Sequence, residues 1–174
     1  MPRLLLVRHA EAAGQALVGD SDRPLTSQGR ANAKRVGIYL RASGLIFNRA
    51  ISSPALRARD TLDAILRELP QQSASCKLYD ALYSADAETL IEVLAQTSRS
   101  VKTLLIIGHN PGVGELARVL VKPENALPRH FSAPCLAVID ILCSDWSEAG
   151  AGCGRLNDFK DFASLQADDS ISRN

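Results

Sequence analysis

The sequence has no apolar run approaching the ~20 residues that a bilayer-spanning helix requires, and no excess of either charge. Lys plus Arg number 20 and Asp plus Glu 19 among 174 residues. That balance gives no general attraction to nucleic acid or to an anionic membrane, so neither is expected as a partner. Any positive field must be local, built from a few placed arginines. Cysteine is sparse: Cys76, Cys135, Cys143 and Cys153 contain no C-x-x-C pair, and no histidine is spaced beside them as in a zinc site. Four reduced, mostly buried thiols are expected, with no disulfide framework, no bound metal and no other cofactor. There is no repeat, low-complexity tract or obvious linker. Met1-Pro2-Arg3-Leu4 leads straight into an apolar run without the cleavage pattern of a signal peptide. The expectation is one cytoplasmic domain over residues 1–174, ending in a polar, frayed tail from about residue 167.

What is present is an alternation of strand and helix patterns, which argues for an α/β fold around a largely parallel sheet. A first strand is predicted over Arg3 to Val7, then a polar loop from Glu11 to Pro24. Thr26 reads as the N-cap of a helix reaching about Ala42, where Ser43-Gly44 ends it. A second strand covers Ala50 to Ser52. The next helix starts near Pro54, places Leu62, Ile65, Leu66 and Leu69 on one face, and stops at Pro70. A short strand near Lys77 to Tyr79 precedes a helix from about Ala87 to Gln96, with Leu90, Val93 and Leu94 inward. Val101 to Ile107 is the clearest central strand. Val113, Leu116, Ala117 and Leu120 place a helix directly after His109. Cys135 to Leu142 reads as a strand, Ser144 to Gly154 as a surface turn with Trp146 partly exposed and covering an edge of the core, and Arg155 to Phe159 as an edge strand.

Histidine is rarer still, at three residues, and two of them share one setting. Arg8-His9 follows Leu4-Leu5-Leu6-Val7, and His109 follows Leu104-Leu105-Ile106-Ile107-Gly108. In an open α/β sheet ligands bind outside the carboxyl ends of the strands. Two imidazoles there, with Arg8 and Arg57, suit a phosphoryl group. A neutral imidazole can attack phosphorus, and neighbouring guanidiniums help keep it neutral. Arginine's planar fork matches two phosphoryl oxygens and does not titrate away. The helix after Asn110-Pro111-Gly112 points free backbone N–H groups towards an anion. Singly, each residue has a plainer reading: a solvated strand end for Arg8-His9, a surface helix residue for Arg57, a buried histidine satisfied by backbone for His109. Their joint occurrence shifts the odds.

Leu6-Val7-Arg8-His9-Ala10-Glu11 resembles the R-H-G signature of the histidine phosphatase, or phosphoglycerate mutase-like, superfamily, with Ala10 in place of glycine. Asp22-Arg23-Pro24-Leu25-Thr26 followed by Gly29 is similar to its R-P-L-T-x-x-G segment. Ser53-Pro54-Ala55-Leu56-Arg57-Ala58-Arg59-Asp60-Thr61 is similar to S-P-x-x-R-A-x-x-T, and Ile107-Gly108-His109-Asn110-Pro111-Gly112 to the second-histidine motif. The blocks occur in family order from residue 4 to about residue 120, and the short length looks most like the SixA-type phosphohistidine phosphatases. The resemblance implies a three-layer sandwich with helices on both faces of a mostly parallel sheet. It also implies a metal-independent phosphatase in which His9 is the phosphorylated nucleophile. Arg8, Arg57 and His109 complete the phosphate pocket, with Asn110 beside them.

Many members also carry an acid that protonates the leaving group. In one branch it stands in an L-x-E pattern, where this chain has Leu78-Tyr79-Asp80; in another it follows the second histidine directly, where this chain has Asn110. Asp80 is the candidate acid, with Asp86, Glu88 and Glu11 behind it. An alkoxide leaving group needs such an acid, worth ~10²–10⁴ in rate; an imidazole leaving from phosphohistidine needs it less. The weak acid motif agrees with the SixA-type resemblance, which implies protein phosphohistidine, on a signalling or phosphocarrier protein, as the expected substrate. A small-molecule phosphomonoesterase and a non-catalytic phosphate-binding module are the alternatives. His130 reads as a loop residue, and Arg23 and Arg59 as solvated members of a positive rim.

Overall fold

In the computed structural model, which describes residues 1–14, 19–70, 74–122 and 127–163, the short apolar runs become strands of one sheet. They are β1 (Arg3–Arg8), β2 (Arg49–Ser52), β3 (Ser75–Leu78), β4 (Thr103–Gly108), β5 (Cys135–Ile141) and β6 (Gly154–Asp161). Their order is β3-β2-β4-β1-β5-β6. The first four strands run parallel; β5 lies antiparallel to β1, and β6 antiparallel to β5. The helices are α1 (Ser27–Ala42), α2 (Leu56–Leu66), α3 (Ala87–Ala95) and α4 (Gly112–Leu120). The polar tail expected from about residue 167 lies outside the described residues, as does part of the loop between Glu11 and Pro24.

The central strands are apolar on both faces because both faces are covered. Leu5, Val7, Leu105 and Ile107 pack with Val36 and Leu40 of α1 and with Leu62 and Ile65 of α2. Leu4, Leu6, Leu104 and Ile106 pack on the other side with Leu90 and Leu94 of α3 and with Leu116 and Leu120 of α4. The result is the expected three-layer α/β sandwich. Each fully buried Leu or Ile contributes about 1.5–3 kcal/mol of transfer free energy, so these two layers hold the sheet edge rigid. Among the described residues no helix is long and apolar enough to cross a membrane.

Local chemistry explains most element ends. Thr26 caps α1 by accepting from Gly29 N at 2.9 Å, and Asp86 caps α3 by accepting from Thr89 N at 2.8 Å. The second helix is shorter than its apolar spacing predicts. Pro54 lies ahead of it, and beyond Leu66 the chain tightens: Glu68 N bonds to Ile65 O and Leu69 N to Leu66 O, the three-residue step of a 3₁₀ turn. The largest departure is Trp146, which is fully buried rather than partly exposed. Its Nε1 donates to Val101 O at 2.7 Å. The polar neighbours that suggested exposure instead stabilise its turn, Asp145 accepting from Ser147 N at 2.9 Å. All four cysteines are free, yet only Cys135 is buried; Cys143 and Cys153 are half-buried and Cys76 is exposed on the edge strand.

The sheet positions the site through one register. Arg8 of β1 pairs with Gly108 of β4, and His9 N donates to Gly108 O at 3.0 Å. His9 and His109 therefore leave adjacent strands at the same carboxyl edge. From there α1 turns onto one face and α4 onto the other, which opens the crevice where such sheets bind ligands.

Candidate active site

Four residues singled out from the sequence share this crevice. The rings of His9 and His109 meet edge to face with centroids 4.9 Å apart. Arg57, 6% exposed at the start of α2, reaches both: its Nε donates to His9 Nε2 at 3.3 Å and its Nη2 lies 3.4 Å from His109 Nδ1. A guanidinium has only donors, so both of these ring nitrogens carry lone pairs. The other ring nitrogens then carry the protons. His9 Nδ1 donates to Ala10 O at 2.7 Å, and His109 Nε2 donates to Ser53 Oγ at 2.7 Å. Burial, helped by His109, Arg57 and Arg8, pushes His9 down to about 3, against the pull of the Ala10 carbonyl. Burial, then the Arg57 and Arg8 guanidiniums, pushes His109 down to about 4. Both imidazoles are neutral at pH 7, and His9 presents Nε2 to the crevice.

Arg8 and Asn110 converge on one backbone oxygen. Arg8 Nη1 and Asn110 Nδ2 both donate to Phe131 O, the latter at 2.9 Å. Among the described residues Arg8 Nε and Asn110 Oδ1 are buried without partners, so both side chains keep hydrogen-bonding capacity beside the histidines. The loop after β1 is held by Ala10 N donating to Thr61 Oγ1 at 3.0 Å, while the Thr61 hydroxyl donates to Arg57 O at 2.7 Å. This ties the first histidine segment to the arginine helix.

Asp80 does not join them. It is exposed at the start of a 3₁₀ turn, Asp80–Leu82, and its carboxylate makes no hydrogen bond to His9, Arg57 or His109. Asp86 is committed to capping α3, Glu88 lies in that helix's first turn, and Glu11 accepts from the Thr26 hydroxyl. His130 is an exposed loop residue and Arg59 is exposed on α2. Arg23 is not merely solvated: its Nε donates to Ala13 O at 2.7 Å and its Nη1 to Asp20 Oδ1 at 3.0 Å.

Three residues that drew no functional reading from the sequence line the site. Asp20 opens a 3₁₀ turn (Asp20–Asp22) against α2. Its carboxylate accepts from Arg57 Nη2 at 3.0 Å and from the Tyr83 hydroxyl at 2.7 Å, and its backbone oxygen accepts from Arg57 Nη1. Tyr83 rises from the turn that begins at Asp80 and lies edge-on to His109, with centroids 5.9 Å apart. Gly112 brings that turn in: a Cβ there would stand 1.9 Å from Ala85 O. Ser53, fully buried, orients His109. Ser53 sits inside a recognised motif, so its position was a usable signal. Asp20 had none. Among the described residues no three His, Cys, Asp or Glu side chains converge as a metal-ligand group.

Residues 4–110 match the family model described as the histidine phosphatase superfamily (branch 1). The chain is similar to an uncharacterized protein of Mycobacterium tuberculosis, 31% identical over 160 residues that cover 88% of this chain and 98% of that one. It is also similar to the phosphohistidine phosphatase SixA of Escherichia coli, 29% identical over 140 residues, 80% of this chain and 85% of that one. Among solved structures, the protein histidine phosphatase SixA complexed with tungstate superposes with a TM-score of 0.78 at 28% identity, covering 94% of this chain and 99% of that one.

Proposed function

Because the chain belongs to the histidine phosphatase superfamily (branch 1), we propose that this phosphatase is metal-independent, works through a phosphohistidine on His9, and takes protein phosphohistidine as its substrate. The observation that carries the reading is the state of His9. Its Nδ1–H is pinned by the Ala10 carbonyl, so Nε2 keeps a lone pair in a crevice between Arg57 and His109.

In the first step Nε2 forms a bond to phosphorus as the bond to the leaving nitrogen breaks. Arg57 and Arg8 hold the phosphoryl oxygens, supplying the positioning and charge stabilisation that phosphoryl transfer requires. His109 serves the same oxygens through Nδ1. The Ser53 hydroxyl accepts from Nε2–H in one tautomer and donates to bare Nε2 in the other. Nδ1 is bare while it faces Arg57; when the phosphoryl oxygens take the Arg57 donors, the Ser53 hydroxyl donating to Nε2 supports the other tautomer, in which Nδ1–H points at the phosphoryl group. Asn110 completes the pocket from the Phe131 side. Phosphorylated His9 keeps its Nδ1 proton, so when water attacks phosphorus the ring departs as neutral imidazole and needs no acid.

The carboxylates support the proposed substrate class. No candidate acid named in the sequence reaches the histidines, which favours a leaving group that brings its own proton over an alkoxide. The E. coli relative named as a phosphohistidine phosphatase supports the same substrate, and the relative complexed with tungstate, a tetrahedral oxyanion, supports the pocket's anion chemistry. The test is to incubate the protein, without added metal, with a phosphohistidine-bearing phosphocarrier protein and with a panel of phosphate monoesters. Turnover of the phosphocarrier, abolished by His9→Ala, is expected. Turnover that survives His9→Ala, or confinement of activity to sugar or nucleotide phosphates, refutes the proposal.

A further inference from the structure

We infer that Asp20 is a further catalytic residue of this site, a fixed carboxylate at its mouth that accepts the ring N–H of a protonated phosphoimidazole and so selects for it. The inference rests on the proposed reaction at His9 and names a group outside every motif of the chain.

Placement is the first argument. Arg57 is almost wholly buried, with a side chain 7% exposed, whereas the Asp20 side chain it bonds is 35% exposed. The carboxylate thus stands at the more exposed end of the Arg57 contact. Tyr83, which also bonds it, is 39% exposed and flanks His109. Arg57 joins this carboxylate directly to the nucleophile, its Nη2 on Asp20 and its Nε on His9 Nε2, and on this inference the leaving group departs past it.

Ionisation is the second. The charged and titratable groups that face Asp20 are Tyr83 and Arg23, Arg57 from α2, and His109 across the crevice. The Tyr83 hydroxyl, Arg23 and Arg57 hold its carboxyl far below the usual carboxylate range. Asp20 is therefore no proton donor at neutral pH, and an alkoxide leaving group gains nothing from it. An ionised carboxylate instead accepts hydrogen bonds, most strongly from a cation.

The chemistry closes on one substrate form. In a phosphohistidine protonated on its second ring nitrogen, the His9 Nε2–P bond forms while the substrate P–N bond breaks. The electron pair returns to the substrate nitrogen, and the proton stays on the other ring nitrogen. The product is neutral imidazole. From the unprotonated ring the leaving group would be imidazolate, a far poorer one. By accepting that N–H, Asp20 raises the fraction of substrate in the reactive form and steadies its charge. For an aryl phosphate the same carboxylate only repels the incoming dianion.

The experiment compares wild type and Asp20→Asn on a peptide phosphorylated on histidine and on p-nitrophenyl phosphate, across pH. The ratio of kcat/KM for the peptide to that for the aryl ester is expected to fall by about tenfold or more, the scale of one hydrogen bond to a charged group. The peptide rate should also lose its alkaline limb at lower pH in the variant. Asp20→Ala should repeat both effects. An equal fall on both substrates, or an unmoved alkaline limb, overturns the inference and leaves the proposed function standing. A wild-type protein that hydrolyses the aryl ester but never the peptide overturns both.

Discussion

Removing the Ser53 hydroxyl tests whether His109 acts through an oriented tautomer. Ser53 is fully buried, and its Oγ lies 2.7 Å from His109 Nε2. In Ser53→Ala a buried ring nitrogen loses its partner, at a cost of about 1–3 kcal/mol. The loss counts most where His109 must present Nδ1–H to the phosphoryl oxygens. At 1.36 kcal/mol per decade, kcat/KM should drop about 5- to 150-fold. Because the interaction strengthens as charge develops, the fall should appear in kcat rather than KM. Oγ also accepts from Ala55 N at 3.3 Å, so a thermal melt must accompany the kinetics, and the ¹⁵N shifts of His109 report its tautomer directly. A variant with unchanged melting, an unchanged His109 tautomer and kcat within about twofold of wild type would refute the reasoning.

Other expectations concern the whole fold. His9 at about 3 and His109 at about 4 lie below the unfolded value of 6.5. Between pH 6.5 and 4 the unfolded chain therefore binds protons that the native protein refuses. Stability should fall with acidification in that window by up to about 1.4 kcal/mol per pH unit for each histidine; urea melts should show this slope, and His9→Ala should remove the His9 share, about half of it. In Gly112→Ala the new Cβ meets Ala85 O, an overpacking expected to cost about 1–3 kcal/mol; calorimetry should show the lowered Tm, and kcat/KM should fall as the Tyr83 turn is pushed away. Trp146→Ala removes the largest fully buried side chain and the bond to Val101 O. It should lower Tm by on the order of 10 °C while leaving kcat of the folded fraction unchanged.

Where sequence patterns followed local chemistry, the structure agrees with them. The helix opened at Thr26 because its hydroxyl satisfies an orphan N–H, a bond between neighbours in the chain. Leu90, Val93 and Leu94 are inward because spacing alone puts them on one face of α3. The second helix was overextended because the apolar spacing of Leu66 and Leu69 persists through a 3₁₀ turn, which periodicity does not distinguish at one turn's length. Trp146 was misplaced because its flanking Ser, Asp and Glu are polar for the sake of the turn, not of the tryptophan. Asp80 sat near a family position, yet its turn delivers Tyr83 to the site instead.

By itself the sequence determined that Arg8-His9 and His109 end apolar strands, since the strand patterns and the histidines after them are contiguous in the chain. It likewise determined the mostly parallel α/β class and the family. Only the tertiary structure decided which nitrogen of each histidine is bare, through Ala10, Ser53 and Arg57. It alone brought Asp20 to Arg57, 37 residues away, and to Tyr83, 63 residues away. Hydrogen bonds between residues so far apart are set by how the helices pack on the sheet, and no local pattern encodes them.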